Sequence, residues 1–160
     1  MTIDGETFNA QLQYDLAPRS CVCLERLLPY HGELVHAQWS GQSCWSPLSG
    51  VWPAGSFLSP ENATGYPSPG QVLLFCGELS EPELLLVYGP TLASKAGPLA
   101  GNLVPIIENR LARLVELGRQ VLWGGAVSVR IERLAGLSRN ADGFVARENR
   151  TTGETEHDDL

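Results

Sequence analysis

Three side chains in this sequence have the chemistry of proton or charge transfer: His36, Glu81 and Lys95. His36 lies in the run Glu33-Leu34-Val35-His36-Ala37-Gln38-Trp39, whose alternation groups Val35, Ala37 and Trp39 on one face and His36 with Leu34 and Gln38 on the other. With the first face inside a barrel, His36 points outward. There it either meets solvent or serves a groove on the outer wall as general base or hydrogen-bond donor. His31 lies across a turn from it, too weakly coupled to suggest a two-histidine metal site. Glu81 and Glu83, two apart at the start of a strand, share a face with Cβ atoms roughly 7 Å apart. With Glu78 they form an acidic cluster. Either this is a solvated strand end, or one carboxyl is partly buried with a raised pKa and acts as acid or base while the other binds a cation or a substrate N–H. Lys95 is the only lysine beside ten arginines, and Ser94 precedes it in a glycine-bounded loop. A compact ammonium there would hold a carboxylate or polarise a carbonyl.

A second group of residues has the chemistry of recognition. Glu61, Asn62, Thr64 and Tyr66 concentrate donors and acceptors in one loop, and with Trp39 they would rim a pocket for a small, flat, polar ligand. Singly, Asn and Thr are ordinary turn formers. Glu83, Ser94 and Asn102, the last in a loop-to-strand junction, complete the ligand-binding candidates. Cys21 and Cys23 diverge by about 200° around a helix, and no CxxC occurs, so all four cysteines are expected as free thiols and no metal site is assigned.

The elements that must position these residues follow from periodicity and turn chemistry. Residues 7–13 alternate as a strand, and Asp15 is expected to cap a helix that carries Cys21, Leu24, Leu27 and Leu28 on one face and ends at Pro29. Strands are expected at 33–39, around Cys44-Trp45, at 72–76 and 83–88, and at 103–107. Residues 46–70 hold many of the prolines and glycines and read as a long loop packed by Trp52, Phe57 and Tyr66. A second helix is expected after Asn109, with Gly118 as its left-handed C-cap, followed by strands at 121–123 and 126–131. The last two apolar strands of the first half, 72–76 and 83–88, carry so little polar alternation that both must be largely buried. From Leu137 onward acidic residues accumulate, and the tail 137–160 reads as disordered, leaving one domain over residues 1–136. Connections too short for repeated βαβ crossovers favour a mainly β antiparallel barrel closed by two helices.

Composition narrows the function. The chain has 160 residues, 43% hydrophobic and 18% charged, with a formal net charge of -7. That charge gives no basic footprint for nucleic acid or anionic membrane, and no apolar run approaches the roughly 20 residues of a membrane helix. With no signal-like start, a cytoplasmic location is expected. Walker, GxGxxG, HExxH and GxSxG patterns are all absent from the sequence.

The blocks Gly32-Glu-Leu-Val-His-Ala-Gln-Trp-Ser-Gly41, Glu61-Asn-Ala-Thr-Gly-Tyr-Pro-Ser-Pro-Gly70, Ser80-Glu81, Tyr88-Gly89, Ala93-Ser-Lys-Ala-Gly97 and Leu99-Ala-Gly-Asn102 resemble a bacterial family of unknown function with a cyclophilin-like fold. The resemblance covers about residues 5–134. It implies a closed eight-stranded barrel capped by two helices, with a working groove on the outer wall. More distant cyclophilin-like relatives occur in enzymes acting on cyclic amides and urea derivatives, such as allophanate hydrolase and 5-oxoprolinase components. The family pattern carries a His after the Gly-Asn pair, where this chain has Leu103, which favours binding over turnover. The expected function is therefore binding of a small polar metabolite in a surface groove, without a cofactor, in a homo-oligomer. Two alternatives are an enzyme acting on a C–N bond, with His36 or Glu81 as base and Lys95 as polariser, and a prolyl isomerase or peptide-binding module. The arginine-and-aromatic pattern of prolyl isomerases is not recognisable.

Overall fold

The computed structural model describes residues 1–76, 80–93 and 101–134, together with the backbone of 137–139 and 145–147. The chain opens with a hairpin. β1 (Thr2–Ile3) and β2 (Glu6–Thr7) pair across Asp4-Gly5, both at positive φ, the backbone that a two-residue turn matched to strand twist requires. β3 (Ala10–Leu12) follows, so the strand expected over 7–13 is broken at Phe8, whose side chain is buried. α1 spans Pro18–Arg26, with proline in its first turn where no N–H is missed.

β4 (Tyr30–His36), β5 (Gly41–Pro47), the short β6 (Ala63–Thr64), β7 (Gln71–Phe75), β8 (Glu83–Thr91) and β9 (Gly101–Ile107) come next. α2 (Leu111–Gly124) and β10 (Val127–Ile131) complete the main body. Of the tail, β11 (Leu137–Arg139) and β12 (Val145–Arg147) form a separate antiparallel ladder, and the rest lies outside the described residues.

One antiparallel sheet of ten strands runs β2-β1-β10-β4-β5-β8-β7-β9-β3, with β6 also paired to β9. This corrects the closed eight-stranded barrel: the sheet is curled, its strand number differs, and among the described residues no ladder joins its two ends. Those ends, β2 and β3, are halves of one N-terminal stretch separated by Phe8 and Asn9. The chain itself carries the curl from one margin to the other.

The concave face holds the main core. Val72, Leu74, Leu84, Leu86, Tyr88 and Val104 pack there against Cys21 and Leu24 of α1 and Leu114, Leu117 and Val121 of α2. A second cluster, Ala37, Leu73, Leu85, Ala93 and Leu103, lies on the convex face with Trp45 and Ile106 against it. β7 and β8 are thus buried on both sides, as their continuous apolar runs require.

α2 departs from its expected limits. Gly118 does not end it; the helix continues through residues 121–123, which were expected as strand. Packing explains the glycine, since a Cβ there would lie 2.2 Å from the Tyr88 ring. The bare Cα lets Tyr88 press flat against the helix. Asn109 is not the cap either: its Oδ1 accepts the Asn9 N–H, and Arg110 occupies the N-cap position at φ 55°.

Candidate functional site

Two of the expected ligand-binding residues, Glu61 and Asn102, do meet, but at the start of α1. Glu61 places one carboxylate oxygen 2.8 Å from both the Ser20 N–H and its hydroxyl, while the other accepts from the Arg19 N–H and guanidinium. It thereby supplies the cap that Asp15 was expected to give; the N-cap position is Ala17, with no side-chain cap of its own. Burial pushes the Glu61 carboxyl up, and the bonds from Ser20 and Arg19 outweigh it, holding the group below the usual carboxylate range. Asn102 is buried beside it. Its Oδ1 accepts the Glu61 N–H at 2.9 Å, and its amide donates to Ser20 Oγ and to the Ser59 carbonyl. Asn62 Nδ2 donates to the Leu103 carbonyl, and Thr64 Oγ1 accepts the Tyr66 N–H. Glu61, Asn102 and Ser20 are committed to one another and clamp the start of the 59–66 segment to α1 and β9, Asn62 ties it again to β9, and Thr64 bonds within the loop. Phe57 and Tyr66 do not pack the loop as expected; both are exposed, and Trp52 alone of the three meets the core.

His36 lies elsewhere, and its face is reversed. Leu34 joins the main core, so β4 alternation puts His36 on the concave side and Val35 outside. His36 Nε2 is 2.7 Å from the Tyr88 hydroxyl, and the rings meet edge-on with centroids 5.7 Å apart. Nδ1 is buried without a hydrogen-bond partner. Burial holds the imidazole pKa below its ordinary value. Burial also pushes the Tyr88 phenol up. The pair is therefore neutral near pH 7, as a packed polar contact under α2 requires.

Glu81 is exposed and accepts from Ser49 Oγ at 3.1 Å, outside the strand; Glu83 is the buried first residue of β8. Trp39 is exposed and stands edge-on to Trp45 at 6.0 Å. Ser94, Lys95 and Glu78 lie outside the described residues. All four cysteines are free, and burial pushes the Cys21 and Cys44 thiols up to about 12 and that of Cys76 to about 11. Those three are inert as nucleophiles at neutral pH. Among the described residues no group of three or more His, Cys, Asp or Glu is placed to hold a metal ion.

A different set of residues forms a cavity. A groove of about 310 Å³ on the convex side is lined by Tyr30, His31, Gly32, Glu33 and Val35 of β4, by Trp45 and Pro47 of β5, and by Gly50 and Val51. It lies beside the end of the β4–β5 ladder. The β4–β5 ladder joins only Val35 to Trp45 and His36 to Cys44; continued, it would set Glu33 against Pro47, which has no N–H to give. Below that point Tyr30 spans the interval, its hydroxyl 2.6 Å from Ser46 Oγ and 3.1 Å from the Pro47 carbonyl. Gly32 makes room for this phenol, since a Cβ there would fall 2.2 Å from the hydroxyl. None of the expected site residues among the described ones lines this groove. A proline two residues after Trp45, opposite a Gly-Glu pair, was the available signal, legible only once register was known.

Residues 1–133 match the model of DUF3830, described as a protein of unknown function. No curated protein matches the chain. Among solved structures, McbB in complex with tryptophan has a similar fold, with a TM-score of 0.59 at 22% sequence identity. The likeness covers 83% of this chain and 43% of McbB, so this chain spans less than half of that protein's length. It is a likeness of fold, and it supports the cyclophilin-like architecture expected from the sequence blocks.

Proposed function

The chain belongs to the DUF3830 family of unknown function, and for it we propose a role in binding a small polar molecule in the convex groove between β4 and β5. The observation that carries this reading is the groove itself. At about 310 Å³ it sits at the small end of the roughly 300–1,000 Å³ of ligand pockets, and Val35 and Trp45 give it an apolar floor. A polar lip surrounds that floor, with His31 and Glu33 on β4. This combination suits a compact ligand with one flat or aliphatic face and a few donors. Catalysis on a C–N bond has less support, because His36, Glu61 and Glu81 do not line the groove. Four free thiols support a reducing, cytoplasmic setting for this binding.

The test is a thermal-shift screen of cyclic amides, ureas, small carboxylates, amino-acid amides and tryptophan, run in parallel on the wild-type chain and on Val35→Arg. Val35 is partly exposed, so the variant folds while its side chain fills the groove. A ligand present at a hundred times its Kd should stabilise the wild type by about 2.7 kcal/mol and leave the variant unmoved. Equal shifts in both proteins would place the binding elsewhere.

A further inference from the structure

What the groove can hold follows from the side-chain chemistry that its lining leaves free. Among the described residues that line it, Glu33 is the only carboxylate, and no lysine or arginine is present. Glu33 is exposed and forms no ion pair among the described residues. Arg130, across the β4–β10 ladder from His31, is engaged by Glu132, so Glu33 stands as the groove's free formal charge. The Tyr30 hydroxyl is committed to Ser46 Oγ and the Pro47 carbonyl. Trp45 packs partly buried on the convex cluster, with its Nε1 enclosed and without a partner among the described residues. Its ring therefore offers the groove carbon rather than an N–H.

Register brings the charge and the ring together. Val35 faces Trp45 across the ladder, and Glu33 lies two residues from Val35 on the same face of β4. Glu33 is thus a diagonal neighbour of Trp45, with Cβ atoms roughly 7–8 Å apart. A cation within about 6 Å of an indole ring is attracted by its π face, and one standing between these two side chains also faces a carboxylate. A primary ammonium must find acceptors for its three N–H donors when it leaves water. The side chains here supply the Glu33 carboxylate and the His31 ring, beside Val35, Trp45, Pro47 and Val51, which present mostly carbon. A fully methylated ammonium needs no acceptor and brings an apolar surface of its own.

We infer that the ligand of this groove is a compact N-methylated ammonium ion, its methyl groups against the Trp45 ring and Val35 and its positive charge facing the Glu33 carboxylate. The inference rests on the groove being the binding site and specifies its ligand class. The chain's net charge of -7 adds to the attraction for a cation. A volume of about 310 Å³ suits a free small molecule of this kind.

The experiment titrates the full chain with three probes. They are choline, its uncharged isostere neohexyl alcohol, in which carbon replaces the nitrogen, and ethanolamine, which keeps the charge and lacks the methyl groups. Heteronuclear NMR follows the Trp45 indole and Glu33 amide resonances and gives the affinities. Choline should shift both resonances and bind about tenfold more tightly than neohexyl alcohol, and more tightly than ethanolamine. Glu33→Gln, a change at an exposed position that keeps the fold, should weaken choline about threefold at low salt. It should leave neohexyl alcohol unchanged, since only choline carries the charge. Equal binding of choline and neohexyl alcohol would overturn the inference, as would ethanolamine binding as tightly as choline. A panel in which ureas or cyclic amides bind in a manner blocked by Val35→Arg while choline does not would also overturn it; the groove would then stand as a site and the ligand class would fall. Choline binding that Val35→Arg leaves intact would remove the groove itself as the site.

Discussion

Glu61 shows how a residue with the look of a ligand-binding acid can be consumed by the fold. Its carboxylate is spent on the first N–H groups of α1, which has no cap of its own, so Glu61→Ala should cost about 1–3 kcal/mol in urea denaturation while leaving groove ligands unaffected. His36 is committed in a different way, as a neutral imidazole against Tyr88. Because its pKa in the folded chain lies below the unfolded value of about 6.5, the unfolded state takes up a proton first as pH falls. The neutral-pH stability is therefore full above 6.5 and declines as the pH is lowered through the interval down to the folded pKa. A melting temperature that falls over this interval in the wild type, and a fall that disappears in His36→Gln, are the expected results. The identities of both residues were legible in the sequence, but their duties were not. A Glu in a loop carries no mark of the helix it will cap from forty residues away, and strand alternation groups residues by face without saying which face is inside.

At the scale of elements, sequence reading succeeded where one local signal decides. Both helices, the doubly buried strands β7 and β8 and the long connection before them follow from periodicity and composition. It failed where two elements negotiate a contact. Gly118 has the sequence signature of a helix end, yet it sits mid-helix because Tyr88 occupies the space of its side chain. The magnitudes make this testable: Gly→Ala within a helix normally gains roughly 0.5–1 kcal/mol, whereas forcing a methyl group into a filled core costs about 1–3 kcal/mol. Gly118→Ala should therefore destabilise the protein on balance, by chemical denaturation, and should weaken the Tyr88–His36 contact with it. Gly32→Ala follows the same logic at the groove. Its Cβ would displace the Tyr30 hydroxyl from Ser46 and Pro47, and loss of the groove's probe binding should accompany the loss of stability. The first hairpin was legible in principle, since Asp4-Gly5 is a strong two-residue turn signal. It was hidden by the alternation of the longer run that follows it.

For the whole molecule, the curled sheet depends on a short segment at its margin. Phe8, almost fully buried, is the link between the strand that pairs toward β10 and the strand that pairs toward β9. Phe8→Ala should cost about 3–5 kcal/mol, enough to remove much of the stability of an ordinary domain, and hydrogen exchange should rise first in β1, β3 and their partners. Sequence reading reached the mainly β, two-helix architecture and overstated its closure, because closure is a property of margins and no local pattern records which strands become them. The placement of those margins also sets an order of events during synthesis. Residues 2–12 leave the ribosome well before their distant strand partners, residues 105–107 and 129–130. Beyond its own β1–β2 hairpin, the opening segment must wait for these partners through the translation of most of the domain, so the nascent chain cannot complete its sheet until α2 and β10 have been released.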